Sequence, residues 1–113
     1  MSYPKFQIKR STSTTSPFYF VLRAVNTEVI LTSEMYTTKQ GCTTGITSVK
    51  ANAPYNERYE KRTSVNKEPY FVLKAINGEI IGKSEMYSST ANRDNGIEAV
   101  KRDAPRAEIE DLS

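Results

Sequence analysis

Residues 70–105 read YFVLKAINGEIIGKSEMYSSTANRDNGIEAVKRDAP, and residues 19–54 read YFVLRAVNTEVILTSEMYTTKQGCTTGITSVKANAP. A constant shift of 51 superimposes the two stretches without a gap, with 18 of 36 positions identical. Self-similarity at a fixed period exposes the structural unit before any residue is interpreted. Each unit has about 50 residues, near the lower limit for independent stability. The two copies are therefore expected to share one core. A chain of 113 residues is one domain's worth of material. The expected organisation is a single pseudo-twofold domain, with repeat one at about 3–58 and repeat two at about 59–113.

Each copy opens on a strand, 19–25 and 70–76, rich in aromatic and β-branched residues. Asn77-Gly78 follows in the second copy and suits a two-residue type I′ hairpin turn, whose central residues take positive φ. The first copy has Asn26-Thr27 there, and threonine resists positive φ, so that turn should be looser or more strained. The second strands, 28–36 and 79–87, then place Ala24 opposite Val29, Leu22 opposite Leu31 and Phe20 opposite Ser33. That face is the expected core. The other carries Tyr19, Val21, Arg23, Ile30, Thr32 and Glu34, and in the second copy Tyr70, Val72, Lys74, Ile81, Lys83 and Glu85. A slip of one residue would exchange the faces.

Helices are expected at about 38–52 and 89–103, capped by Thr37 or Thr38 and by Ser88 or Ser89. Ile46, Val49 and Ala53 form a stripe at helical spacing, as do Ile97, Val100 and Ala104. Lys50, Lys101 and Arg102 suit the negative end of the dipole, and Ala-Pro stops each helix. Extended segments 6–10 and 59–63 precede the two hairpins as weak copies of one another. Residues 106–112 follow the second helix as 55–61 follow the first. Segment 55–63 therefore both ends repeat one and begins repeat two.

The strings FVLKAINGEIIGKSEMYSS, NGIEAVKRDAP and AEIEDL, at 71–89, 95–105 and 107–112, closely resemble the YegP-like family, a bacterial family of unknown function. The resemblance covers essentially the whole chain. It implies a βββαβ unit, in tandem or as a homodimer of single units. The implied α+β fold is one continuous antiparallel sheet with exchanged C-terminal strands and both helices on one face. The chain departs from the family's pattern at Asn26-Thr27, where Asn-Gly is usual, and at Lys67, where a glycine-containing turn is common. The resemblance supplies no catalytic residue.

Composition narrows the function. Apolar content of 37% and charged content of 26% are those of an ordinary globular protein. The net charge of +3 permits an anionic partner without requiring one. With no histidine and a single cysteine, Cys42, neither a metal site nor imidazole-assisted nucleophilic catalysis is expected, and no cofactor is expected. One cysteine fits a reducing compartment. Residues 1–10 carry charge and no apolar stretch of the secretory kind, and no apolar run approaches membrane-spanning length. A cytoplasmic monomer without membrane contact is the expectation.

Gly45 and Gly96 stand mid-helix, where glycine costs about 1 kcal/mol relative to alanine. Close approach of helix to sheet is the expected reason. The exact repeat Ser-Glu-Met-Tyr, at 33–36 and 84–87, should send Met35 and Met86 toward the helices. It should pair Glu34 and Glu85 across strands with cations such as Arg23 and Lys74. With helices on one side, the opposite face displays Tyr19, Arg23, Glu34, Tyr70, Lys74, Lys83 and Glu85 as the candidate binding surface. The favoured role is a non-enzymatic binding or accessory module. Aromatics among cations also admit nucleic-acid binding, which the two glutamates and weak net charge disfavour. A third reading is a protein-interaction module that uses sheet edges. Catalysis would need Glu34 or Glu85 as base and Tyr19 or Tyr70 as acid in a partly dry pocket, which a flat face does not supply.

Overall fold

Three hairpin turns of one kind set the strand register. The computed structural model describes residues 3–113. In it, loops 25–27, 65–67 and 76–78 each end on a residue with positive φ: Thr27 at 73°, Lys67 at 66° and Gly78 at 88°. The Ala75 N–H donates to the Glu79 carbonyl (2.8 Å), and the Gly78 N–H to the Ala75 carbonyl (2.9 Å). Ala24, Thr27 and Glu28 repeat this pattern, as do Ser64, Lys67 and Glu68. These are three-residue loops, a tight turn followed by one left-handed residue, and not the expected two-residue I′ turn. A side-chain oxygen braces each loop: the Ser64 hydroxyl accepts from the Glu68 N–H (3.1 Å) in the loop 65–67, and an asparagine serves in the other two. Asn77 Oδ1 accepts from the Glu79 N–H (3.0 Å) and Asn26 Oδ1 from the Glu28 N–H (3.1 Å). That places asparagine second in the loop, and the left-handed position falls on Gly78 and, at some strain, on Thr27.

The extra loop residue is absorbed by a bulge. Strands β1 (Lys5–Arg10), β2 (Phe18–Arg23) and β3 (Val29–Ser33) form the first half of the sheet. Strands β4 (Tyr59–Thr63), β5 (Pro69–Lys74) and β6 (Ile80–Lys83) form the second. Leu22 opposes Leu31 as expected, but Val29 opposes Arg23 and not Ala24, with the register shifting between. Leu73 opposes Gly82 and Lys74 opposes Ile80 in the same way. Ile30 and Ile81, expected on the open face, are thereby turned into the core.

Helices α1 (Lys39–Asn52) and α2 (Thr90–Asp103) follow. Thr38 Oγ1 accepts from the Gly41 N–H (2.9 Å) and Ser89 Oγ from the Asn92 N–H (3.0 Å), capping each start. Ile46, Val49, Ala53, Val100 and Ala104 are wholly buried and Ile97 nearly so. They join Phe6, Phe20, Leu22, Leu31, Phe71 and Leu73 in one core that runs through both repeats. Both helices therefore bank against the same face, α1 reaching β2, β5 and β6, and α2 reaching β3 and β5.

The strand order is β4-β5-β6-β3-β2-β1-β7, where β7 is Glu108–Asp111. The halves join at a short antiparallel seam, Thr32 opposite Lys83 and Ser33 opposite Gly82. The sheet is mixed and not wholly antiparallel, because β7 lies parallel to β1. The strand exchange also runs one way. Repeat two gives β7 to repeat one, but the segment after α1 makes a 3-10 turn at Asn56–Arg58 and enters β4 directly. A single stretch of chain cannot be both the last strand of one repeat and the first of the next, so among the described residues no strand lies on the outer edge of β4.

Candidate functional site

The register places one residue from each of the seven strands in a row across the helix-free face. The row runs Glu60, Val72, Lys83, Thr32, Val21, Gln7, Glu110. Val21 and Val72 sit on this face, yet are only 5% and 2% exposed. Their strand neighbours flank them: Gln7 and Thr32 beside Val21, Glu60 and Lys83 beside Val72. The helix-free face is thus a closed layer of side chains over an apolar centre.

Most of its charges are matched within it. Arg23 Nε donates to Gln7 Oε1 (2.7 Å), and its Nη1 to the Thr27 carbonyl (2.8 Å). Gln7 Nε2 donates to Glu110 Oε1 (2.8 Å). Lys74 pairs with Glu60, which also accepts from Arg62 Nε (2.6 Å). Those two hydrogen bonds, Arg62 first and Lys74 second, hold the Glu60 carboxyl down at about 2. Lys83 places its ammonium 5.2 Å from the centre of the Tyr70 ring. Tyr19 lies half-buried opposite Lys9, and Tyr70 half-buried opposite Arg62. Five of the expected residues, Tyr19, Arg23, Tyr70, Lys74 and Lys83, therefore lie in the strands of one sheet. The two ends of the face differ chemically, since Gln7 and Thr32 stand in one copy where the other has Glu60 and Lys83.

Glu34 and Glu85 behave otherwise, and the repeated Ser-Glu-Met-Tyr string explains why. Ser33 Oγ accepts from the Phe20 N–H (2.9 Å) and donates to the Glu34 carbonyl (2.7 Å). Ser84 does the same with Phe71 (3.0 Å) and Glu85 (2.8 Å). The hydroxyl stands in for a ladder carbonyl where the strand leaves the sheet. Pairing resumes at Tyr36, which exchanges backbone hydrogen bonds with Phe18. Glu34 and Met35 occupy the space of one residue opposite Tyr19, so both are displaced. The expected ion pairs to Arg23 and Lys74 do not form, because those cations are engaged by Gln7, Thr27 and Glu60. Met35 and Met86, expected against the helices, are 46% and 38% exposed.

The tyrosine of the string is structural. Tyr36 stacks on Phe20 and Tyr87 on Phe71, with interplanar angles of 12° and 9°. A Cβ at Gly45 would stand 2.2 Å from the Tyr36 hydroxyl, and one at Gly96 2.3 Å from that of Tyr87. The mid-helix glycines therefore admit a tyrosine ring beneath each helix, which is the close approach expected of them.

Two further features escaped the sequence reading. Asp103 is wholly buried and accepts from Arg102 Nε (2.8 Å) and Arg106 Nη2 (3.0 Å). Burial pushes its carboxyl up, but the two guanidiniums outweigh that and hold it below the usual range. Its counterpart Asn52 accepts from Arg58 Nε (2.9 Å). The available signal was a polar residue three positions after Val49 and Val100, on the apolar stripe in both copies. The second feature is a cleft of about 870 Å³ between the first hairpin tip, with Val25 and Asn26, and the segment Glu85, Met86 and Tyr87 beside α2. Cys42 is buried, and that burial, with the charge of Asp111, pushes its thiol up to about 11. Among the described residues no three His, Cys, Asp or Glu side chains gather as a metal site, and no helix is long and apolar enough to cross a membrane.

Comparison with known proteins gives the family. The model of a domain of unknown function, DUF1508, matches twice, at residues 16–60 and 64–111. A UPF0339 protein of Shewanella oneidensis is 53% identical, over 91% of this chain and 94% of the relative. The solution NMR structure of a UPF0339 protein from Shewanella oneidensis superimposes with a TM-score of 0.87 at 50% identity, covering 99% of this chain and 92% of that one. The solution NMR structure of the YegP protein of unknown function from E. coli gives 0.89 at 43% identity, covering 99% and 95%.

Proposed function

Because the chain belongs to the DUF1508 family, whose domain of unknown function it carries twice, we propose a role that rests on surface and not on a reaction. The chain is a non-enzymatic binding module, a cytoplasmic monomer that docks a protein partner on the helix-free face of its sheet. One observation carries this reading. Val21 and Val72 are buried on a face that no helix covers, closed over by a fixed layer of polar and aromatic side chains. Such a layer needs little ordering before it binds, which lowers the entropic cost of association. Tyr19 and Tyr70 offer large amphipathic contacts, and tyrosine is favoured at interfaces for that reason.

The chemistry of the face argues for protein over nucleic acid. Polyanion binding draws its affinity from cations free to neutralise phosphates. Here Lys74 and Arg62 are committed to Glu60, and Arg23 to Gln7 and a backbone carbonyl. Catalysis has less support still. An acid–base pair needs a carboxyl held in a partly dry pocket, whereas Glu34 and Glu85 are exposed where their strands leave the sheet.

The test is capture from cell lysate with the wild-type chain and with a Tyr19→Ala, Arg23→Ala, Tyr70→Ala, Lys74→Ala variant of verified fold. The variant should lose the partners that the wild type retains at moderate salt. Identical sets of partners would remove the face from consideration. Retention of oligonucleotides, weakening steeply as salt rises, would favour the nucleic-acid reading instead.

A further inference from the structure

The pseudo-symmetry exposes a second candidate surface, away from the sheet face. Phe6 opposes Leu22 as Tyr59 opposes Leu73, so β1 and β4 are structural counterparts, with Gln7 matching Glu60 and Ile8 matching Lys61. The outer edge of β1 is occupied by β7, parallel to it, with Ile109 beside Phe6 and Asp111 beside Ile8. The Glu108 N–H donates to the Pro4 carbonyl (3.3 Å) and the Leu112 N–H to the Ile8 carbonyl (2.8 Å). Ala107 is buried there in the core, and Lys50 Nζ, lying over the Phe6 ring, donates to the Ala107 carbonyl (2.7 Å).

Among the described residues, nothing fills the counterpart. β4 ends the sheet and pairs only with β5. Between it and α2 is a cleft of about 390 Å³ bordered by Tyr59, Lys61, Ile97 and Lys101, and by Asp94 and Glu98, which pair with Lys61 (3.2 Å) and Lys101 (3.2 Å). Lys101 lies over the Tyr59 ring as Lys50 lies over Phe6. In a strand the N–H and C=O of one residue point to the same side, so Lys61, like Ile8, presents both to the bare edge.

We propose that this edge is a docking slot for an extended peptide segment of a partner protein, added as an eighth strand parallel to β4. The chain itself specifies the chemistry, since β7 is a worked example in the sister slot. The segment has a small residue whose carbonyl reaches Lys101, then a carboxylate opposite Arg58, the counterpart of Lys5. An apolar residue follows over Tyr59. Next comes a neutral or basic residue beside Glu60, and last a carboxylate opposite Lys61, which competes there with Asp94, 3.2 Å from that ammonium. A second copy of the chain is a poor occupant. Antiparallel pairing of two β4 edges about their middle would set Lys61 against Lys61, and lysine on an edge strand discourages such pairing. The slot borders the open face at Glu60, but Lys101 and the outward backbone groups of β4 lie outside that face.

The test uses the full-length chain, isotope-labelled for NMR, and N-acetylated peptides in trans. One peptide carries residues 104–113 with Glu110→Lys (APRAEIKDLS), one the unmodified sequence, and one a scramble of the first. The Glu110→Lys peptide should shift the amides of residues 59–63 and of Lys101 in a saturable way. It should bind about fivefold tighter than the unmodified peptide, whose glutamate meets Glu60. Lys61→Pro, which removes an outward N–H together with the Lys61 ammonium and its ion pair to Asp94, should abolish the shifts. If that variant misfolds, Lys101→Ala should weaken binding with the fold intact. Shifts confined to the open face, equal binding of the scramble, or no shifts at all would overturn the proposal. So would concentration-dependent shifts at β4 in the peptide-free chain, which would assign the edge to a second copy.

Discussion

Gly96 shows how much a single missing carbon decides. Glycine in a helix interior sacrifices about 1 kcal/mol of intrinsic stability, and here the sacrifice admits the Tyr87 ring. A Cβ on residue 96 would meet the ring carbon that bears the hydroxyl at 2.7 Å as well as the hydroxyl itself. Gly96→Ala should therefore destabilise by about 1–2 kcal/mol net, overpacking exceeding the gain in helix propensity. Tyr87→Phe should recover part of that loss in the double variant, which urea unfolding of the four-member cycle would measure. If Gly96→Ala is stabilising, the glycine has no packing role. Asp103 gives a pH signature at the same scale. Its folded ionisation lies below the unfolded value of about 3.9. Its contribution is thus fully present above about pH 4 and is lost as pH falls through the folded value. Asp103→Asn should be less stable than wild type at pH 7, and the gap should narrow toward pH 2 in acid-dependent urea midpoints. A gap independent of pH would mean that the carboxylate charge is not what the arginines hold.

At the scale of elements, the hairpins separate what was legible from what was not. Strands and helices were readable because Phe20, Leu22, Ile46, Val49 and their copies carry unambiguous periodicity, and Thr38 and Ser89 are cap residues that do cap. The turns were misread because Asn-Gly fits two loops. What distinguishes them is the glutamate after it, in Asn26-Thr27-Glu28 and Asn77-Gly78-Glu79. That glutamate both accepts from the asparagine side chain and donates its own N–H to it. The error then propagated one residue along the strand, which is why Ile30 and Ile81 were assigned to the wrong face. The loops also yield a prediction. Thr27 holds a positive φ that its copy assigns to Gly78, and a β-branched residue there costs about 1–2 kcal/mol. Thr27→Gly should raise the urea midpoint without changing the slope of the transition. An unchanged or lowered midpoint would show that the threonine conformation is unstrained.

At the scale of the molecule, the repeat predicted the shared core correctly but concealed the asymmetry. Sequence identity between copies implies two equal sheet edges. Yet one segment, between α1 and β5, has two roles to fill and performs only the second, leaving β4 bare while β1 is covered by β7. The candidate face was legible in part. Tyr19, Arg23, Tyr70, Lys74 and Lys83 could be placed from alternation alone, whereas Glu34 and Glu85 could not, because the serine hydroxyl that ends the ladder has no signature in periodicity. What the whole account requires is that the halves behave as one rigid body, since a surface spread across both repeats exists only if they do not open separately. Native-state hydrogen exchange measures this directly. The slowest amides of β2 and β5 should share one opening free energy and one denaturant dependence, those of global unfolding. If β5 opens several kcal/mol more easily than β2, or the reverse, with a smaller denaturant slope, the repeats are separate cooperative units and the continuous face is not a fixed surface.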